Sequence, residues 1–168
     1  MEKINIFEDD IGFSQDEILN DVINAFYERK FPHLDRIENV EDSRMQRDGI
    51  DKKLILKNGK EIWIDEKWRR KDYGDFLLEE YSNKQKQIVG WLGRKKKTDY
   101  IVYIIIPSKK VYFLPFLFLQ IAWKKNYRLW KKSYKTKLAE NEGYTTTNLA
   151  IPKDVLLEAL KQAMEGEF

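Results

Sequence analysis

Cysteine is absent from this sequence and histidine occurs once. Without cysteine there are no disulfides, zinc ribbons, iron–sulfur clusters or thiolate nucleophiles, which fits a reducing, cytoplasmic compartment. The lone histidine excludes histidine-rich metal centres, and a Ser-His-Asp triad would have to use His33, which stands beside Pro32 where a helix should end. Any chemistry therefore falls to carboxylates and lysines. Long apolar runs are also missing. The greasiest stretch, Val111 to Trp123, is interrupted by Pro115 and Gln120 and falls short of the ~20 residues that span a bilayer. The N-terminus, Met1-Glu2-Lys3-Ile4-Asn5, lacks the apolar segment of a secretory signal, so no membrane partner is expected. With no repeat period and no linker rich in glycine, serine or proline, residues 1–168 read as a single domain.

What is present is enough apolar material for a core: 42% hydrophobic and 14% aromatic residues, against 35% charged. The net charge of +3 is the sum of two unlike parts. Residues 1–66 carry 10 Lys/Arg against 17 Asp/Glu, a balance of −7, whereas residues 67–168 carry 21 against 11, a balance of +10. An acidic part followed by a basic one suits a protein whose carboxylates hold cations while another surface meets a polyanion. A solvated charged surface accounts for the pattern equally well.

Ser14-Gln15-Asp16-Glu17 has the form of a capping box, and Ile18, Val22, Ala25 and Phe26 follow at helical spacing, predicting a helix over about 15–30. The polar stretch from His33 to Asp48 reads mostly as loop with room for one short strand. Two β-rich runs, 51–57 and 60–67, flank Asn58-Gly59, a strong hairpin signal. Phe76 to Tyr81 reads as a third strand beside the 60–67 strand, and Asn83 to Trp91 as loop or short helix. The β-branched run Tyr100 to Ile106 predicts a strand covered on both faces, paired with Lys110 to Leu114. A helix follows Pro115, with Trp123, Tyr127, Trp130 and Tyr134 on its buried side and Lys124, Lys125, Arg128, Lys131, Lys132 and Lys135 on the other. A strand over Thr145 to Ile151 and a last helix after Pro152 complete an α/β fold with a mixed β-sheet flanked by helices.

Gly49-Ile50-Asp51 is followed fourteen residues later by Asp65-Glu66-Lys67. Phosphodiester hydrolysis without histidine requires a divalent cation, and two strand-borne carboxylates hold one if they face the same spot. A lysine two residues beyond the second carboxylate emerges on the same strand face. Its ammonium can orient water or neutralise developing charge. The triplet itself is common in a chain this rich in charge, as Glu28-x-Lys30 and Asp51-x-Lys53 show; its place in the hairpin gives it meaning. A two-residue Asn58-Gly59 turn pairs Lys57 with Lys60 and sets Asp51 opposite Glu66. A turn with Gly59 in a bulge pairs Leu56 with Lys60 and sets Asp51 opposite Asp65. The bulged register is the one expected here.

Gly-Ile-Asp, a hairpin and Asp-Glu-Lys resemble the PD-(D/E)XK phosphodiesterase superfamily, and the order of elements over residues 14–120 is similar to its restriction-endonuclease-like fold. Ile50 stands where that family often has proline. The resemblance implies a nuclease that uses Mg²⁺ or Mn²⁺, with Asp51 and Asp65 as metal-binding carboxylates, a backbone carbonyl of Glu66 as a further ligand and Lys67 as the motif lysine. Residues 76–82, Gly90-Trp91 and 98–103 are also similar to members carried by phage and mobile elements.

Glu79 or Glu80 would complete the metal shell, or face the surface at a strand end. Glu17 and Asp21 would add a helix acid, or sit as solvated charges near a helix N-terminus. Gln46 is a candidate DNA or water contact or simply loop, and Trp63 is expected in the core rather than as a stacking platform. Arg69, Arg70 and Lys71, with Lys124, Lys125, Arg128, Lys131 and Lys132, are the candidate phosphate contacts. Arg94 to Lys97 reads as a solvated loop, with phosphate contact as its alternative role. The leading expectation is a DNA-cleaving metal-dependent nuclease, for which a homodimer would permit double-strand cutting. The alternative is a nuclease-fold module that binds nucleic acid or protein without catalysis.

Overall fold

The computed structural model describes residues 17–166. Ser14, the expected N-cap, and the side chain of Glu17 lie outside the described residues. Within them the chain is a mixed α/β protein with a five-stranded mixed sheet, a four-stranded antiparallel sheet and four α-helices. These elements group into two compact units, 17–70 with 96–113 and 71–95 with 114–166.

The first unit begins with α1 (Glu17–Lys30), β1 (Leu34–Asn39) and a short α2 (Ser43–Arg47), the last two falling where mostly loop was expected. The hairpin β2 (Lys52–Leu56) and β3 (Glu61–Arg69) follows, and the chain returns with β6 (Tyr100–Ile105) and β7 (Lys110–Pro115). The strand order is β1-β2-β3-β6-β7, with β2 antiparallel to both its neighbours and β3 parallel to β6. The hairpin adopts the bulged register. Lys52 pairs with Ile64 and Ile55 with Glu61, the Leu56 amide donates to the Lys60 carbonyl at 2.8 Å, and Gly59 has φ +80°.

That register decides which side chains are buried together. On one face Leu54, Ile64, Trp68, Val102 and Ile104 form a core with Ile23 and Tyr27 of α1, and Ile62 packs against it. Phe113 joins this core in ring contact with Phe26, Tyr27, Phe31 and Tyr100, at centroid separations of 5.6–6.2 Å. Slipping β3 by one residue against β2 would put Trp63 and Asp65 where Ile62 and Ile64 face the core, losing about 1.5–3 kcal/mol for each large apolar side chain exposed. Turn preference, worth about 1 kcal/mol, is the smaller term.

The second unit holds β4 (Asp75–Asn83), β5 (Ile88–Val89), a 3₁₀ turn (Trp91–Gly93), α3 (Phe116–Ser133), β8 (Thr136–Asn141), β9 (Tyr144–Pro152) and α4 (Lys153–Met164). Its strand order is β5-β4-β9-β8. Phe76, Leu78, Leu149 and Ile151 are buried on the central strands, as are Leu119, Ala122 and Trp130 on α3 and Leu156 and Leu160 on α4. Two expectations fail here. The strand over 76–81 does not neighbour the Asp65 strand, because β4 pairs with β9 and β5 while β3 pairs with β2 and β6. The basic helix stops at Ser133, and Lys135 to Lys137 turn into β8, an edge strand. Among the described residues no helix is long and apolar enough to cross a membrane.

Gly59 supports the register through its left-handed backbone alone, since a Cβ there would meet nothing within 4 Å. Gly59→Ala should lower unfolding free energy by about 1–2 kcal/mol, and Gly59→Asn by less because asparagine tolerates this conformation. Chemical denaturation of both variants checks the ordering.

Candidate active site

The acids Asp65 and Glu66 are consecutive on β3 and so project to opposite faces of the sheet. Glu66 lies on the α1 side, where it accepts from the Tyr27 hydroxyl at 2.7 Å and the Trp68 indole at 3.2 Å and pairs with Lys52 at 3.1 Å. Lys52, itself buried, also donates to Asn24 Oδ1 at 2.9 Å. Burial and the Glu66 carboxylate hold the Tyr27 hydroxyl well above its ordinary pKa, so it serves as a donor. This arrangement is closed and leaves Glu66 only its backbone for any role on the other face.

On that other face Asp65 is 2% exposed. Lys67 Nζ lies 2.6 Å from its Oδ1 and Lys96 Nζ lies 3.0 Å from its Oδ2. Burial pushes the Asp65 carboxyl up, but the two ammonium groups outweigh it and hold the pKa below the ordinary carboxylate value. Burial likewise opposes the charge of Lys67, and the Asp65 and Asp51 carboxylates overcome it, so Lys67 stays protonated well above neutral pH. Tyr103, the β6 residue that pairs with Lys67, raises it further.

Asp51 sits just before β2, its amide bonded to the Ile64 carbonyl at 2.8 Å and its carbonyl accepting from Val40 at 2.8 Å. Its Oδ2 accepts from the Glu66 amide at 2.7 Å. Burial first, then repulsion from Asp65, push its carboxyl up to about 7 despite the Lys67 charge. The pair is thus asymmetric, with one carboxyl neutralised by lysines and the other inclined to hold a proton.

The hairpin therefore brings Asp51, Asp65 and Lys67 together, as the bulged register requires. The remaining candidates are placed elsewhere. Glu79 Oε1 accepts from the Trp91 amide at 3.1 Å. Glu80 is buried in the second unit, with Lys131 at 2.6 Å, Thr147 at 3.3 Å and a very short bond from the Tyr127 hydroxyl. Asp21 is exposed on α1, and Gln46 donates to the Val40 carbonyl at 2.8 Å. Trp63 is only half-buried, with Lys53 Nζ 5.3 Å from its ring centroid, because it lies towards the end of β3 that leads from the turn.

Among the basic candidates, Arg70, Lys71, Lys124, Lys125, Arg128 and Lys132 are exposed. Arg69 is buried and Lys131 is engaged by Glu80, which corrects the expectation that all eight present free charge to phosphate. The residue that sequence reasoning missed is Lys96. It sits in a basic run that reads as solvated, yet its side chain is 9% exposed. Its signal was the glycine before Asp51: a Cβ on Gly49 would lie 2.4 Å from Lys96 Nζ and 2.9 Å from its Cδ.

No family model, curated protein or solved structure matches this chain. The site is therefore read from its own chemistry. Among the described residues no group of three or more acids or histidines is placed to hold a metal. The donors here are the Asp51 and Asp65 carboxylates, hard oxygen ligands of the kind Mg²⁺ and Mn²⁺ take. The lysine ammonium on Asp65 Oδ2 already stands where a cation is wanted, so the residues fit such an ion.

A buried carboxyl with a raised pKa favours the fold while protonated, so its contribution is complete below the ordinary carboxylate pKa and is lost as pH rises through about 7. Asp51→Asn keeps an acceptor for the Glu66 amide and removes this loss. The variant should melt above the wild type at about pH 8, with the gap narrowing towards about pH 5 in thermal unfolding curves.

Proposed function

We propose that the protein is a metal-dependent nuclease of the PD-(D/E)XK type, hydrolysing phosphodiester bonds in nucleic acid, DNA above RNA. The observation that carries this reading is the hairpin register, which sets the Asp51 and Asp65 carboxylates and the partly exposed Lys67 ammonium in one cluster. The restriction-endonuclease-like fold is part of the proposal. It draws support from the order of α1, the hairpin and the parallel β3–β6 pair.

Asp51, Asp65 and the Glu66 carbonyl would hold Mg²⁺ or Mn²⁺, which supplies Lewis acidity towards the phosphate and lowers the pKa of a bound water. The Asp65 and Asp51 carboxylates favour the charged form of Lys67. Its part is electrostatic: a fixed positive charge beside Asp65 that orients water and offsets negative charge developing on the phosphate. Burial of Asp65 strengthens that effect on its side of the pair, while the Lys67 side chain stays one-third exposed. The exposed Lys124, Lys125, Arg128 and Lys132 on α3 supply sequence-independent phosphate contacts.

One observation favours the second reading, a nuclease-fold module that binds without cutting: both oxygens of Asp65 are already met by lysines. Incubation of supercoiled plasmid with Mg²⁺ separates the two. The wild type should nick or linearise the plasmid, and Asp65→Ala and Lys67→Ala should each lose about 100-fold or more in rate. If the wild type leaves circular and linear DNA and RNA intact, catalysis is excluded. Salt-sensitive retention of DNA in a gel shift, weakened in Lys124→Ala and Arg128→Ala, then marks the binding module.

A further inference from the structure

We propose that Lys96 is a built-in, displaceable cation of the carboxylate site: it occupies Asp65 Oδ2 when metal is out, gives way when a divalent cation binds, and so sets the site's affinity for that cation. The proposal rests on the metal-site reading above.

Three observations place Lys96 in this role. Its ammonium is 3.0 Å from Asp65 Oδ2, while Lys67 takes Oδ1 at 2.6 Å, so a metal ligated by Asp65 meets an ammonium at either oxygen. A divalent ion would be a third cation on a carboxylate that two ammonium groups already share, so one of them must move. Lys67 is fixed in β3 by its place in the ladder opposite Tyr103, whereas Lys96 comes from an irregular segment with no ladder to hold it. The segment is anchored just beyond it, where the Thr98 hydroxyl bonds the Trp63 carbonyl at 3.1 Å and Asp99 Oδ2 accepts from the Trp63 amide at 2.8 Å. Lys96 is thus tethered beside the site and can swing without disturbing the sheet.

The third observation is the track that admits it. Gly49 has φ +76°, and any side chain there would collide with the Lys96 stem at Cδ and Cε as well as with Nζ. The bare backbone two residues before Asp51 thus gives the lysine its route to Asp65. Its neighbours Lys95 and Lys97 are exposed, so the inward turn of Lys96 is not a property of the whole basic run.

The test is calorimetric titration of the full chain with Mn²⁺. Lys96→Met removes the ammonium and keeps the stem, and should bind Mn²⁺ about tenfold more tightly or better, the effect of deleting one directly competing, largely buried cation. Lys97→Met removes the same formal charge from the surface and should stay within about twofold of the wild type. Lys96→Arg keeps a cation and should retain the weaker wild-type affinity. Lys96→Gln, which also removes the charge, should bind Mn²⁺ as tightly as Lys96→Met and decides the case in which the methionine variant does not fold. In every protein, Asp65→Ala should abolish binding. If Lys96→Met binds no more tightly than the wild type while binding still requires Asp65, the metal site stands and the role of Lys96 is refuted. If neither binds Mn²⁺, the metal reading fails and this proposal fails with it. Binding by Lys96→Met alone supports it.

Discussion

The pairing register of the β2–β3 hairpin is the constraint from which the rest of the first unit follows. Strand side chains alternate with a period of two, so the register assigns every residue of β3 to a face at once. It sends Ile64, Glu66 and Trp68 towards α1 and Asp65 and Lys67 to the opposite side. Glu66 then finds three donors and becomes a structural tie between strand and helix. Asp65 and Asp51 meet each other and the lysines. Three carboxyl groups thus acquire three surroundings: Glu66 meets three donors, Asp65 lies between two lysines, and Asp51 is pushed up by burial and by Asp65. Environments that drive neighbouring carboxyl groups apart in this way are found at functional sites and in structural ion-pair networks alike.

What could be read from the sequence was what local physics dictates. Asn58-Gly59 specifies a turn, and the run from Tyr100 specifies a strand buried on both sides; the spacing at 18–26 specifies a helix but not its buried face, since Ile18 and Val22 are exposed while Ile23 and Tyr27 are buried. The site's three central residues were legible for the same reason, since alternation along β3 fixes their direction. What was not legible depends on partners distant in the chain. Glu79 and Glu80 have the composition of metal ligands, but strand order put β4 beside β9. β8 escaped because Thr136 to Asn141 is an edge strand that mixes polar and apolar residues directly after a lysine-rich helix. Lys96 escaped because a run of four basic residues is ordinarily solvated, and only the tertiary position of Gly49 opens a way inward.

The basic surplus of the second half of the sequence is also smaller at the surface than in the count of residues. Arg69 is buried, Lys131 neutralises Glu80 and Lys96 neutralises Asp65. Cations that a composition count assigns to a polyanion are partly consumed inside the protein. The exposed remainder on α3, from Lys124 to Lys132, retains a free, screened field of the kind that steers phosphate-rich partners.

The parallel pairing of β3 with β6 carries a consequence for how the molecule forms. A parallel pair needs a long crossover, and here residues 71–95 supply it by building strands of the other unit. During synthesis the β2–β3 hairpin can close as soon as it emerges, but its second neighbour and Lys96 arrive only after that excursion. Until then Asp65 has Lys67 alone as a counter-charge and β3 presents an unpaired edge. Assembly of the carboxylate cluster is therefore a late, high-contact-order event, and a chain released before Ile105 would hold Asp51, Asp65 and Lys67 in its sequence without the means to bury Asp65.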